Sequence, residues 1–348
     1  MFGGSNVNVY MGRTVSIQAV ANQAGVSVAT VSRVFNSPAK VTPETREHVE
    51  KVALALGYMP NASARTLRTQ RSRVLGVVLP TLLNPVFAEC LEGIAHSATR
   101  AGYAILPLTT DYRLEQEEQA VNLLLAGNVD GMILVVSSPE TSKALQRLCV
   151  TRLPYVLAYN RHADHPCISV DSEQAVAELV GRLTGLGHRN IALVSGQLGA
   201  SDRAQQRCRG FRRGMEATGL ADPQVLEVPF VETAVSEITE LLNRQPRPSA
   251  LICSNDLLAI RSLRAAHLAG LAVPRDLTVI GFDGIALGED LTPILSTITQ
   301  PNADIGRCSV ELLVQALTGG SALTPESSLS LAYGFREGES CAAYLNTD

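Results

Sequence analysis

Apolar residues near the N-terminus fall at Ile17, Val20, Ala21 and Ala24, the spacing of one face of a short helix. Ser16 starts that stripe, and Gly25 follows it with the freedom a helix end requires. Ser27 then opens a second helix, Val28 to Phe35. Thr42-Pro43-Glu44 opens a third that runs to Leu56 and stops at Gly57, with Val49, Val52, Ala53 and Leu56 turned inward. Two short helices joined by a tight turn containing Gly make a helix-turn-helix, and the third completes a small core.

From Val74 the texture changes. Short apolar strands at Val74–Leu79, Ala104–Leu108, Gly131–Val136 and Tyr155–Tyr159 alternate with helices near Pro85–Ala101, Leu114–Gly127 and Thr141–Leu148. A second set follows, with strands at Ile191–Val194, Ala250–Cys253 and Thr278–Phe282. Its helices lie near Ser172–Leu186, Ala204–Thr218, Val235–Leu242 and Leu257–Ala269. Alternating β and α means parallel sheets covered on both faces, and two sets suggest two lobes with ligands at the carboxyl ends of the strands. The predicted fold class is therefore α/β: an all-α helix-turn-helix headpiece followed by a two-lobed, doubly wound core.

Composition sharpens this division. Residues 1–73 carry nine Arg or Lys against three Glu, whereas the remainder carries twenty against thirty acids. A basic head on an acidic body fits one module that meets phosphate and another that does not. No run of eighteen apolar residues occurs and no export signal precedes the first helix, so a cytoplasmic chain without a membrane span is expected. Residues 1–13 read as a disordered leader, with Met11 a possible second start. The seven cysteines are scattered singly, which fits reduced thiols. Between head and core, Asn61 caps the run Ala62 to Arg68, too short to hold a helix alone.

The wording is more specific than the pattern. Ser16 to Asn36, then Val41-Thr42-Pro43-Glu44-Thr45-Arg46 and Leu56-Gly57-Tyr58-Met59-Pro60-Asn61, closely resemble the headpiece of the lactose/galactose-repressor family, and the resemblance continues to about Gly338. It implies a periplasmic-binding-protein-like core and a transcription regulator, most often a repressor. Such a regulator binds a palindromic operator as a homodimer and is controlled by a sugar or sugar acid held between the lobes. It also implies that Val28, Ala29 and Arg33 read bases. Arg can grip a guanine edge with two hydrogen bonds, while Val and Ala meet apolar groups. Ser16, Ser27, Thr30, Ser32, Asn36, Tyr58, Asn61 and Ala64 complete the DNA-facing set, and Leu67 is the wedge that a hinge helix pushes into the minor groove. For the effector the resemblance points to Arg207, Asn255, Asp256 and Asp283, with Phe87 and Phe230 as stacking faces. Asn160 and Arg161, in Tyr159-Asn160-Arg161, stand where several sugar-binding members carry an acid, and Arg161 and Arg203 near the cleft would make it more cationic. That departure suggests an anionic effector.

The implied domains are a headpiece at 14–60, a hinge at 61–73 and a core at 74–348. The lobes are 74–162 plus 300–325 and 163–299 plus 326–340, with crossings near 160–167, 293–299 and 322–330. No leucine heptad ends the chain, so a dimer through the core is expected rather than a coiled-coil tetramer. Neither a dinucleotide fingerprint nor a phosphate loop nor a nucleophile elbow is present, which disfavours an enzyme, and no cofactor is implied. His162-Ala163-Asp164-His165-Pro166-Cys167 gathers metal-ligand types, but a surface loop is the expectation and no metal is assigned. A solute-binding protein of the same core fold is the alternative function.

Overall fold

Ser16 starts the first helix by accepting the amide hydrogen of Ala19, and Gly25 ends it at φ 65°. That helix, α1 (Ile17–Ala24), is followed after a tight turn by α2 (Val28–Asn36), whose cap is Ser27 accepting from Thr30. Helix α3 (Pro43–Leu56) begins under Thr42 and ends at the left-handed Gly57. Val20, Ala21, Val31, Val34, Val49 and Ala53 are buried among the three helices. Each boundary is set by a residue adjacent to it in sequence. The computed structural model describes residues 15–59, 71–229, 234–319 and 322–344. The chain divides between Ser72 and Arg73 into two compact units, the headpiece and the core. The candidates Asn61, Ala64, Leu67 and Phe230, and the leader, lie outside the described residues.

In chain order the core runs β1 (Val74–Leu79), α4 (Pro85–Arg100), β2 (Ala104–Thr109), α5 (Leu114–Ala126), β3 (Gly131–Leu134), α6 (Lys143–Thr151), β4 (Tyr155–Ala158) and β5 (Cys167–Val170). It continues with α7 (Ser172–Gly185), β6 (Ile191–Gly196), α8 (Asp202–Ala217), β7 (Gln224–Val228), α9 (Ala234–Asn243), β8 (Ala250–Cys253), α10 (Asp256–Leu268) and β9 (Thr278–Asp283). Then come β10 (Ser296–Thr299), α11 (Asn302–Leu317), β11 (Leu329–Leu331) and β12 (Gly334–Arg336). The strands form two six-stranded sheets, ordered β11-β5-β4-β3-β1-β2 and β12-β10-β9-β8-β6-β7. Every pairing is parallel except β10 with β12. Apart from Val74, Tyr155 and Thr299 at their ends, the central strands are buried, as strands covered on both faces must be.

The passages between sheets fall later than the sequence suggests. Strand β5 pairs with β4 and β11, so the chain stays in the first sheet until Val170 rather than leaving near 160–167. It returns between Thr299 and Asn302 and crosses finally between Leu331 and Gly334. Residues 163–170 and 329–331 therefore belong with the first lobe. Short strands of three or four residues carry too little periodicity to be seen from sequence. The short β5, β10, β11 and β12 and the half-exposed edge strand β7 are not predicted from the sequence.

Helix α11 returns to cover the first lobe after five strands of the second, β6 to β10, have been laid down. It lies against α4 at close range, because Gly93 and Gly306 face the other helix's backbone. A Cβ at Gly93 would run into the carbonyl oxygen of Ala303, and one at Gly306 into that of Cys90.

Candidate functional site

On the headpiece, α2 buries Val31 and Val34 and turns Ala29, Arg33 and Asn36 outward, with Val28 at the rim. The outward face thus pairs small or apolar side chains with one guanidinium. Several of the short polar candidates are engaged locally. Ser16 and Ser27 serve as caps, and Ser27 Oγ also meets Thr30 Oγ1 at 2.9 Å. Asn36 donates to the carbonyl oxygen of Ser32 at 2.7 Å, one helical turn back. Tyr58 is half-buried and packs its ring on Phe35, centroids 5.7 Å apart, so it also extends the small core.

In the core, a cavity of about 30 Å³ lies where the two lobes meet. Phe87, Arg203, Arg207, Asn255 and Asp283 wall it, all of them expected from sequence. Asn84, Tyr112, Tyr159, Ser201, Ser254 and Gln300 wall it as well, and sequence reasoning missed them. Three helix N-termini reach it, those of α4, α8 and α10, whose caps are Asn84, Ser201 and Asn255. Their backbone dipoles present positive potential to the space.

Arg207 is buried and held on three sides. Its guanidinium lies 3.7 Å from the centre of the Phe282 ring, Nη2 donates to Asp283 Oδ1 at 3.2 Å, and Nη1 donates to the carbonyl oxygen of Ser254. Asp283 also accepts from Gln300 Nε2 at 2.8 Å. Burial pushes the Asp283 carboxyl up to about 6, against the pull of Arg207. Its backbone sits at φ 113° and that of Tyr159 at φ 64°. Non-glycine residues in such conformations cluster at ligand sites. Phe87 meets the Tyr159 ring edge-on at 5.8 Å, and the Tyr159 hydroxyl donates toward the carbonyl oxygen of Val86.

The lobes are joined beside the cavity by a buried polar bridge. The amide of Asp202, from the second lobe, donates to the carbonyl oxygen of Ser137 at 2.7 Å. Its carboxylate accepts from Asn160 Nδ2 at 2.6 Å, and Arg203 Nη1 donates to the carbonyl oxygen of Val136 at 2.8 Å. Asn160 is thus a bridge between lobes and does not line the cavity. Arg161 points elsewhere: it is half-exposed and paired with Asp171 at 2.5 Å. Asp256 lies behind the cavity wall, where it accepts from Thr297 Oγ1 at 2.5 Å and from the Ile285 amide at 2.8 Å. Chain-end rules point to strand termini but not to the direction in which a side chain leaves them.

Burial, and then the neighbouring Asp283, push the Asp256 carboxyl up to about 7. A carboxyl raised above its unfolded value contributes stability at low pH that is lost as pH rises through the folded value. The stability of the parent relative to Asp256→Asn is therefore expected to fall between about pH 4 and about pH 8. Urea melts across that range would read it, and a flat or rising difference would reject the assignment.

His162 and His165 stack with ring centres 4.9 Å apart, and His165 Nδ1 meets the Tyr155 hydroxyl at 2.8 Å. Among the described residues no His, Cys, Asp and Glu group could hold a metal ion, and no helix is long and apolar enough to cross a membrane.

Comparison with known proteins agrees with this architecture. Residues 16–61 match the family of bacterial regulatory proteins of lacI type, and residues 180–341 match a periplasmic binding protein-like domain. Catabolite control protein A of Priestia megaterium is 34% identical over 306 residues, 86% of this chain and 92% of that protein. The transcriptional repressor CytR of Escherichia coli (strain K12) is 32% identical over 311 residues, 87% of this chain and 90% of that protein. Among solved structures, the lac repressor dimer bound to operator and the anti-inducer ONPF superimposes with a TM-score of 0.85 at 26% identity, covering 95% of this chain and 100% of that one. The cellobiose complex of the regulator CelR gives 0.69 at 26% identity, over 94% and 99%. These relatives are transcription regulators and not enzymes. A helix-turn-helix head, a two-lobed binding core and relatives that match almost end to end place this chain in the lacI family of bacterial transcription regulators.

Proposed function

We propose that this regulator is a homodimeric repressor of carbohydrate or sugar-acid genes that binds a palindromic operator through α2 and is controlled by a small effector held between the core lobes. The observation that carries the effector half is the cavity, which is walled by residues of both lobes and adjoins the polar bridge joining them. A ligand seated there contacts both lobes at once and so favours one arrangement over another, which is what coupling to a distant site requires. Aromatic faces at Phe87 and Tyr159, with Asp283 and Asn255 as acceptors, suit a polyhydroxylated molecule. The lac repressor and CelR complexes, with ONPF and cellobiose, support that class.

For the dimer, β2 forms an edge of its sheet and exposes Leu106, and Leu82 and Leu83 are also exposed. A second copy would remove this apolar surface from water. The test is operator binding by the full chain with and without a panel of sugars and sugar acids. A change with any of them supports the reading and gives the sign of control. For the hinge, Leu67→Ala is expected to weaken specific operator binding while effector affinity persists, because an apolar wedge stabilises the kinked duplex. Equal operator affinity in gel-shift titrations of parent and variant would remove the wedge.

A further inference from the structure

We propose that the cleft seats an oxyanion of the effector, a carboxylate or a phosphate, between Arg203 and Arg207. This rests on the reading of the cleft as the effector site and names the chemistry of that site. Both arginines line the cavity, at 5% and 6% exposure. Each has a guanidinium nitrogen with no partner, Nη2 of Arg203 and Nε of Arg207. Buried N–H donors are nearly always paired, so two unpaired ones on neighbouring arginines that wall one small space point to an acceptor that the protein itself does not supply. Oxygens carrying negative charge are the acceptors that match guanidinium geometry and charge.

The surroundings favour an anion over a neutral hydroxyl. Three helix N-termini converge on the same space, each adding positive potential. The carboxylates nearby are occupied or weakened as counter-charges. Asp202 is shared among Arg203, Asn160 and Gln206, and Asp283 between Arg207 and Gln300. Glu117 takes the Ser137 amide at 2.6 Å, and its burial opposes ionisation. Arg203 therefore has two tasks: it binds the first lobe through the Val136 carbonyl oxygen and keeps one nitrogen for the ligand. The expected orientation sets the acid group toward α8 and the hydroxyls toward Asp283 and Asn255.

Matched probes separate this proposal from the reading beneath it. The full chain is titrated calorimetrically with D-gluconate and D-glucitol, with D-glucuronate and D-glucose, and with a hexose phosphate and the free hexose. At least one acid is expected to bind about tenfold or more tightly than its neutral partner. The favoured pair tells carboxylate from phosphate. Arg203→Met should abolish that preference and Arg203→Lys should keep part of it, with an unchanged far-UV circular dichroism spectrum of each variant as the check on folding. Neutral partners binding as tightly as the acids would overturn the oxyanion seat and leave the cleft reading standing. A preference that survives Arg203→Met would also overturn it. Binding by neither member of any pair would overturn both.

Discussion

Replacing Arg207 with methionine is expected to destabilise the core by about 3–5 kcal/mol near neutral pH, the cost of leaving one partner of a buried ion pair alone. The Asp283 carboxylate would lose its only cation at hydrogen-bond distance among the described residues while remaining 3% exposed. Gln300 would still donate to it, but a neutral amide does not offset a buried charge. The deficit should shrink as pH falls, because Asp283 is already raised toward neutrality and can take a proton in place of its partner. Adding Asp283→Asn should restore part of the loss, since the pair is then absent instead of broken. Urea melts of the two single variants and the double variant at acid and neutral pH would measure this. A loss of similar size at all pH values would mean that packing of Arg207 on Phe282 dominates instead of charge.

The second large effect concerns DNA. Arg33→Ala is expected to cost about 1–3 kcal/mol of specific operator affinity and to relax the preference at one base pair per half-site, since a bidentate arginine–guanine contact discriminates by that much. Arg33 is exposed on α2, one turn on from Val28 and Ala29, so its removal leaves the buried Val31 and Val34 untouched. Binding to unrelated DNA should change much less than binding to operator. Titrations on operator, single-site variants and scrambled duplex would read both numbers. Equal losses on operator and scrambled DNA would place Arg33 on phosphate and not on a base edge.

How far the sequence could be read depends on the range of the forces involved. The headpiece was legible almost to the residue because Ser16, Gly25, Ser27, Pro43 and Gly57 each fix a boundary locally. The long central strands of the core were legible because two-sided burial writes continuous apolar runs, as in β1 and β6. The edge strands β11 and β12 were not, since they span three residues each and owe their existence to neighbours far away in sequence. The cleft was legible in part. Arg207 and Asp283 follow recognisable wording, but Gln300 becomes visible as a strand-end residue only once β10 is known. Arg161 and Asp256 have suitable chemistry at suitable positions, and backbone direction sends them to Asp171 and to Thr297 instead.

The late position of α11 bears on how the protein is made. The first lobe receives its covering helix only when residues 302–317 emerge, after β6 to β10 of the second lobe have been synthesised. Until then, Cys90 and Ile94 on α4, together with the strands behind them, lack the surface on which Ile305, Val310 and Leu313 will sit. At about 5–20 residues per second the interval between β5 and α11 lasts roughly 7–30 s. A ribosome stalled anywhere in that interval would hold an open apolar face, the kind of surface that chaperones shield.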